Sequence, residues 1–557
     1  MKTNICKPIG QITIACLLLA FALPKEVRAQ FTGNNQTNII SGVTSNWTGV
    51  YYVGSNYVYD ALLIQNGGVL ANSTWAFIGY TVAAHHNIAI VSGSNSFWKC
   101  ASDLYVGSGS ANSLVITNGG SMFARVCYIG FGGGSSSNSF VVTGIGSSCS
   151  NEYTVVGNSS SALRNSLVIN NGGRLLNSVN GEMGYQSQGL VTDGGSVWSN
   201  GVNLVIGTFG VGGSSSLVAS NGGAIVVQQS AWVGNNASSN NSVLMTDTGS
   251  TLIIKGFLRV GDSGASNTLT IANNSSVAVR SNVFVGYASG AVGNRLNIAG
   301  GSLHATNWFL DTGIPIPGTL TLDIRRGTLT LDSGTVTADS LLLTNGTASV
   351  IAFNGGLVST KTTAVTNSQQ FVVGNGTNSA TFHLLGGMHS FNNGLRIRTN
   401  SFLTGCGTIN GKVNIDSGGA VHANCTNLVF KSSVTNNGTM VADGAVLETF
   451  GTFVNNGKIY LINGGTTNFH GTFINNGWLL NADTVRISNI ARLGNDVLLR
   501  TPSVIGFTYR LQLTPSLLDA AWTDSGLAQP GSGNVLTFID SSAGTNGPER
   551  FYRIRVQ

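Results

Sequence analysis

Asn165–Gly184 reads NSLVINNGGRLLNSVNGEMG: a Ser-led apolar strand, an Asn-Gly-Gly corner, a second short strand, and an apolar residue before a closing glycine. The same order returns at Asn112–Gly130 (NSLVITNGGSMFARVCYIG), at Ser216–Gly234 (SLVASNGGAIVVQQSAWVG) and at Asn267–Gly286 (NTLTIANNSSVAVRSNVFVG). The closing glycines Gly54, Gly79, Gly107, Gly130, Gly157, Gly184, Gly207, Gly234, Gly261 and Gly286 follow one another at steps of 23 to 28 residues. A unit this small cannot close a core alone, so it must stack on its copies.

The residue before each closing glycine is apolar in all ten units, from Val53 and Ile78 to Val285. One position earlier stand Tyr52, Phe77, Tyr105, Tyr128, Val155, Glu182, Val205, Trp232, Arg259 and Phe284. Alternation with period two is a strand, and the position that admits Glu182 and Arg259 faces outward. On the first strand Leu114 and Ile116, or Leu167 and Ile169, point inward. Asn and Gly at the corners suit a left-handed turn. An antiparallel meander also uses Asn-Gly. The return of whole units in phase favours an all-β, parallel, right-handed β-helix, with corner Asn side chains bonding from rung to rung.

Met1–Ala29 carries Lys2 and Lys7, an apolar run from Ile12 to Leu23, and a small residue at the end, the pattern of an export signal. Removing its four basic and one acidic residues lowers the net charge from +6 to +3. With only 9% charged residues, this excludes nucleic acid as the expected partner. Residues 30–310 form the regular block. The phase breaks around Ile314–Gly334, and a less regular continuation runs over 311–500. There the Asn-Asn-Gly corners at Asn436, Asn455 and Asn475 are 19 and 20 residues apart, implying tighter rungs. Residues 501–557 read as short strands with turns between them, a cap or an attachment module. In its last strand Tyr552, Ile554 and Val556 share one face, with Arg553 and Arg555 on the other.

The NSLVITNGG…VG unit resembles the repeat of autotransporter passenger domains and of secreted proteins bearing C-terminal sorting tags. Leu403–Val413 (LTGCGTINGKV), followed by Ser417–Val421 (SGGAV), is similar to the passenger signature. The C-terminal segment FTYRLQLTPSLLDAAW…RFYRIRVQ resembles a module of secreted proteins from verrucomicrobia-like bacteria. The resemblance implies a β-helix exported to the cell surface or beyond it in a Gram-negative-type bacterium. It implies a structural or adhesin-like role, polysaccharide or cell-surface components as partners and a monomeric rod. Apart from the resemblance, no cofactor motif is present and no second long apolar segment follows Leu23, so neither a cofactor nor a transmembrane helix in the mature chain is expected.

Chemistry is sparse. Five cysteines follow the signal segment, without CxxC spacing. Cys127 and Cys149 read first as a buried stacked pair of free thiols, then as a Cys127–Cys149 or Cys406–Cys425 disulfide. His85 and His86 are adjacent, which on a strand sends them to opposite faces and disfavours shared metal ligation, so no metal site is expected. A β-helix polysaccharide lyase or glycoside hydrolase, the alternative function, would need converging carboxylates. The best cluster is Asp323, Asp332 and Asp339 with Arg325 and Arg326, read more simply as solvated strand ends. The candidate binding residues are Tyr52, Phe77, Tyr105, Tyr128, Trp232 and Phe284, one phase of the repeat. They would form an outward aromatic stripe for sugar rings or a partner surface, or else a shield for the strand backbone.

Overall fold

The first strand of each unit pairs in parallel with the first strand of the next. Leu114 lies between Ala89 and Phe140, and Ile116 between Val91 and Val142, all fully buried. The second and third strands do the same, so each rung has three strands and three corners. In a computed structural model describing residues 31–208, 213–307, 319–481, 485–518, 521–541 and 549–556, the rungs stack into a β-helix of about 15 turns. The export segment 1–29 and the prolines Pro315 and Pro317 of the phase break lie outside the described residues. Inward apolar side chains fill one continuous core from Phe31 to Leu461. All ten residues before the closing glycines are at most 3% exposed. Each fully buried Leu, Ile or Val contributes about 1.5–3 kcal/mol, and only stacking supplies that burial.

The corners differ from expectation in one respect. Asn66, Asn118, Asn171 and Asn221 do take left-handed φ angles of 49–52°. Their side chains, however, reach a hydroxyl of the preceding rung, as Asn118 Nδ2 does to Ser92 Oγ at 3.2 Å. The buried amide ladder of this block stands one residue before the first strand instead. Asn112 N–H donates to Asn138 Oδ1 at 2.8 Å, Asn138 N–H to Asn165 Oδ1 at 2.9 Å, and Asn267 N–H to Asn294 Oδ1 at 2.8 Å. The ladder runs from Asp60 through Asn87 to Asn165, is interrupted by Ser187 and Ser215, and resumes at Asn241. The reason is room. Asn165 packs against Gly130, where a Cβ would lie 2.2 Å from its Nδ2, so the closing glycine and the buried Asn require each other. The residue ahead of each ladder position also takes a left-handed φ, as Ala111 (56°), Ser137 (58°) and Arg164 (58°) do, and none of the ten is β-branched.

In the tighter rungs the corner amides do ladder. Asn436 Nδ2 donates to Asn455 Oδ1 at 2.8 Å, and Asn455 Nδ2 to Asn475 Oδ1 at 2.6 Å. The parallel stack ends at Trp478–Asn481. Two three-stranded antiparallel sheets follow, one from Asn489–Leu493, Asp496–Pro502 and Val535–Asp540, the other from Thr508–Thr514, Thr523–Pro530 and Phe551–Val556. Leu499, Phe507, Tyr509, Leu511 and Phe538 form their core with Leu480, and Tyr460 and Trp478 pack against it. The module therefore covers the last rung, as exposed strand edges demand. Tyr552, Ile554 and Val556 face this core, while Arg553 lies over the Trp522 ring.

Candidate functional site: the outward column of the third strand

Strand register places the outward residues of the third strand in one column. Tyr52 pairs with Phe77, Phe77 with Tyr105, Tyr105 with Tyr128, and the line continues through Val155, Glu182, Val205, Trp232, Arg259 and Phe284 to Asp323. The first four rings stack: Tyr52 on Phe77 at 5.6 Å and 16°, Phe77 on Tyr105 at 4.6 Å and 8°, Tyr105 on Tyr128 at 5.1 Å and 9°. In such a stack the interior ring faces lie against one another and the ring edges point outward.

The column is less wet than alternation implies. Val155 and Val205 are buried, and burial raises the Glu182 carboxyl above its ordinary range against a hydrogen bond from Asn180. Burial, then Asp103 and Tyr128, push the Tyr105 phenol up to about 12. Its hydroxyl donates to Asp103 Oδ2 at 3.4 Å, and Arg125 pairs with that carboxylate at 2.8 Å. Over the four stacked rings the covering comes from the residue after the closing glycine, which sequence reading passed over. Tyr80 stands edge-to-face against Tyr52 and Phe77 (5.0 and 4.8 Å), and Phe131 against Tyr105 and Tyr128 (4.8 and 5.2 Å).

Further along, the column turns to cation–π contacts. The Arg259 guanidinium lies 3.6 Å from the Tyr287 ring centre and 4.6 Å from that of Phe257, and pairs with Asp262 at 2.5 Å. Trp232 meets Phe257 edge-on at 5.0 Å. Arg325 lies over Phe284 and Tyr287 and pairs with Asp323 at 2.7 Å. Each guanidinium thus has its own carboxylate, and neither is left for a ligand charge.

The three candidate carboxylates occupy different parts of the rung. Asp323 is in the outward column. Asp332 stands exposed at the corner after the first strand, accepting from Asn354 Nδ2 at 2.7 Å. Asp339 lies at the next corner, beyond Thr335–Ala338, 1% exposed; it accepts the Asn307 and Leu320 N–H groups and pairs with Lys361 at 2.7 Å. Asp332 and Asp339 therefore bracket the second strand, while Asp323 sits on the third.

The cysteines divide. Cys406 and Cys425 form a disulfide, and Cys100, Cys127 and Cys149 are buried thiols. Cys127 and Cys149 do not stack: Cys127 pairs in register with Thr154 on the third strand, and Cys149 with Met122 on the second. Burial pushes the Cys149 thiol up to about 12. His85 and His86 lie in the loop before the strand Ile88–Ser92 and not on a strand, and His86 takes a left-handed φ of 58°; their Nδ1 atoms face each other at 2.7 Å. Among the described residues no group of three or more His, Cys, Asp or Glu is placed to hold a metal ion. Among them, too, no helix is long and apolar enough to cross a membrane. The chain matches no protein-family model, and a search of curated proteins returns no match.

Proposed function

We propose that this protein is an exported, autotransporter passenger-like rod of the cell surface or extracellular space, structural or adhesin-like, whose partners are polysaccharide or other surface components. The observation that carries the reading is the outward column, where aromatic rings stack and each guanidinium is matched to a carboxylate along one side of a rigid β-helix. A surface of this kind suits contact and persistence. Glycosidic cleavage asks for two carboxylates across one bond, within roughly 5–10 Å of each other. The test is to incubate the purified chain with a panel of polysaccharides and to follow binding, reducing ends and unsaturated products in the same samples. Binding without product supports the proposal. Product formation that disappears in Asp332→Ala or Asp339→Asn overturns it in favour of a polysaccharide lyase or glycoside hydrolase.

A further inference from the structure

The residue following each closing glycine forms a second column beside the first. Backbone bonds fix its register: Tyr80 N–H to Gly54 O, Ser108 N–H to Gly79 O and Phe131 N–H to Gly107 O, at 2.9–3.1 Å. Tyr80 and Phe131 are therefore two rungs apart with the small Ser108 between them. At about 4.8 Å per rung, that separation is about 10 Å along the rod.

Their orientation differs from that of the stacked rings. The stacked planes lie across the rod axis, within 8–16° of one another. Tyr80 is inclined to them by 64° and 73°, and Phe131 by 72° and 64°. Each therefore runs along the rod. Each stands edge-to-face against two rings of the column, at centroid separations of 4.8–5.2 Å, beside the stack rather than within it. Tyr80 is 43% exposed and Phe131 38%. The nearby charges, Asp103 and Arg125, neutralise one another.

We infer that Tyr80 and Phe131 form a two-ring platform for a neutral, extended β-1,4-linked pyranose chain lying along the rod. The apolar faces of alternate sugar residues rest on the two rings, and Ser108 leaves room for the residue between. The paired charge on the flank favours a neutral glycan over a uronate. This inference rests on the adhesin-like reading and moves the contact from the stacked column to the rings beside it, because these two stand outside the stack and stay exposed.

The experiment is calorimetric titration of the whole chain with hexasaccharides of β-1,4-linked glucose, mannose and N-acetylglucosamine, with a β-1,3-linked glucan hexamer and a polygalacturonate oligomer alongside. Binding is expected for at least one of the neutral β-1,4 chains. Tyr80→Ala and Phe131→Ala should each weaken it about tenfold, as loss of one aromatic face contact implies. Tyr80→Trp should retain it and report it by fluorescence, which separates a lost contact from a lost fold. Trp75→Ala, another exposed aromatic, should leave it unchanged. Absence of binding to every neutral β-1,4 chain, preference for the uronate, or full affinity in the Tyr80→Ala/Phe131→Ala double variant each overturns the platform. Adhesion of the same double variant to whole cells, scored separately, decides whether the adhesin-like reading falls with it.

Discussion

Replacing Asn138 by Ala tests the physical core of this fold, the buried amide ladder. The side chain is fully buried. Its Oδ1 accepts the Asn112 N–H at 2.8 Å and the Asn112 Nδ2 at 3.3 Å, and its own Nδ2 donates to Asn165 Oδ1 at 3.1 Å. Alanine leaves the Asn112 N–H without an acceptor, which costs about 1–3 kcal/mol, and the lost amide bond to Asn165 adds about 1 kcal/mol. A total of about 2–4 kcal/mol is expected. The comparison variant is Asn118→Gly at the exposed corner, where φ is 52° and the side chain makes a 3.2 Å bond to a hydroxyl; glycine accepts that φ, so the cost should stay under about 1 kcal/mol. Because a solenoid couples chiefly nearest neighbours, the readout is hydrogen exchange resolved by rung beside thermal melting. Protection of the Asn112 amide and its adjoining rungs should fall in Asn138→Ala, with distant rungs unchanged. Equal effects of the two variants, or a cost below about 1 kcal/mol for Asn138→Ala, would refute the assignment of stability to the inner ladder.

Other outcomes follow from the same geometry. Gly130→Ala places a Cβ 2.2 Å from Asn165 Nδ2 at a φ of +76°, so it should cost more than about 3 kcal/mol, whereas Gly132→Ala, with a φ of +86° and open space around it, should cost about 1–2 kcal/mol in the same melts. Replacing Cys406 and Cys425 together by Ser opens a loop of 19 residues and should cost about 3 kcal/mol in urea titrations without reductant; an unchanged midpoint would mean that the bond does not form. His389 is fully buried, with its ring nitrogens bonded to Thr363 Oγ1 and Gly386 O, and burial pushes its pKa down to about 4. A lowered histidine pKa means that the unfolded chain takes up the proton first. Stability should thus be level above pH 6.5, fall by on the order of 3 kcal/mol towards pH 4, and lose most of that slope in His389→Gln.

Much of the fold was legible because it is periodic. The apolar residue before each glycine, the Leu-x-Ile of the first strand and the Asn-Gly corners repeat in phase, and phase identifies a stacked strand without any knowledge of its neighbours. The column Tyr52–Phe77–Tyr105–Tyr128 was legible for the same reason, since equal phase means equal height on successive rungs. Positions whose role depends on the path of a loop were not legible. Asn112 and Asn118 are both Asn beside a strand; only the close pass of Gly79 makes the first an inner rung and leaves the second at the surface. Tyr80 and Phe131 follow a glycine with φ near +80°, and the turn it makes carries them over the column, a direction no spacing encodes. His86 escaped strand logic through its left-handed φ, and Cys149 parted from Cys127 because the two sit on different strands of a rung. The sequence by itself determined the repeating strand, its inward face and the need to stack. Tertiary structure decided which amides are buried, which rings stand outside the stack and which charges neutralise one another, because each depends on what the neighbouring rung and its loop bring to the same place.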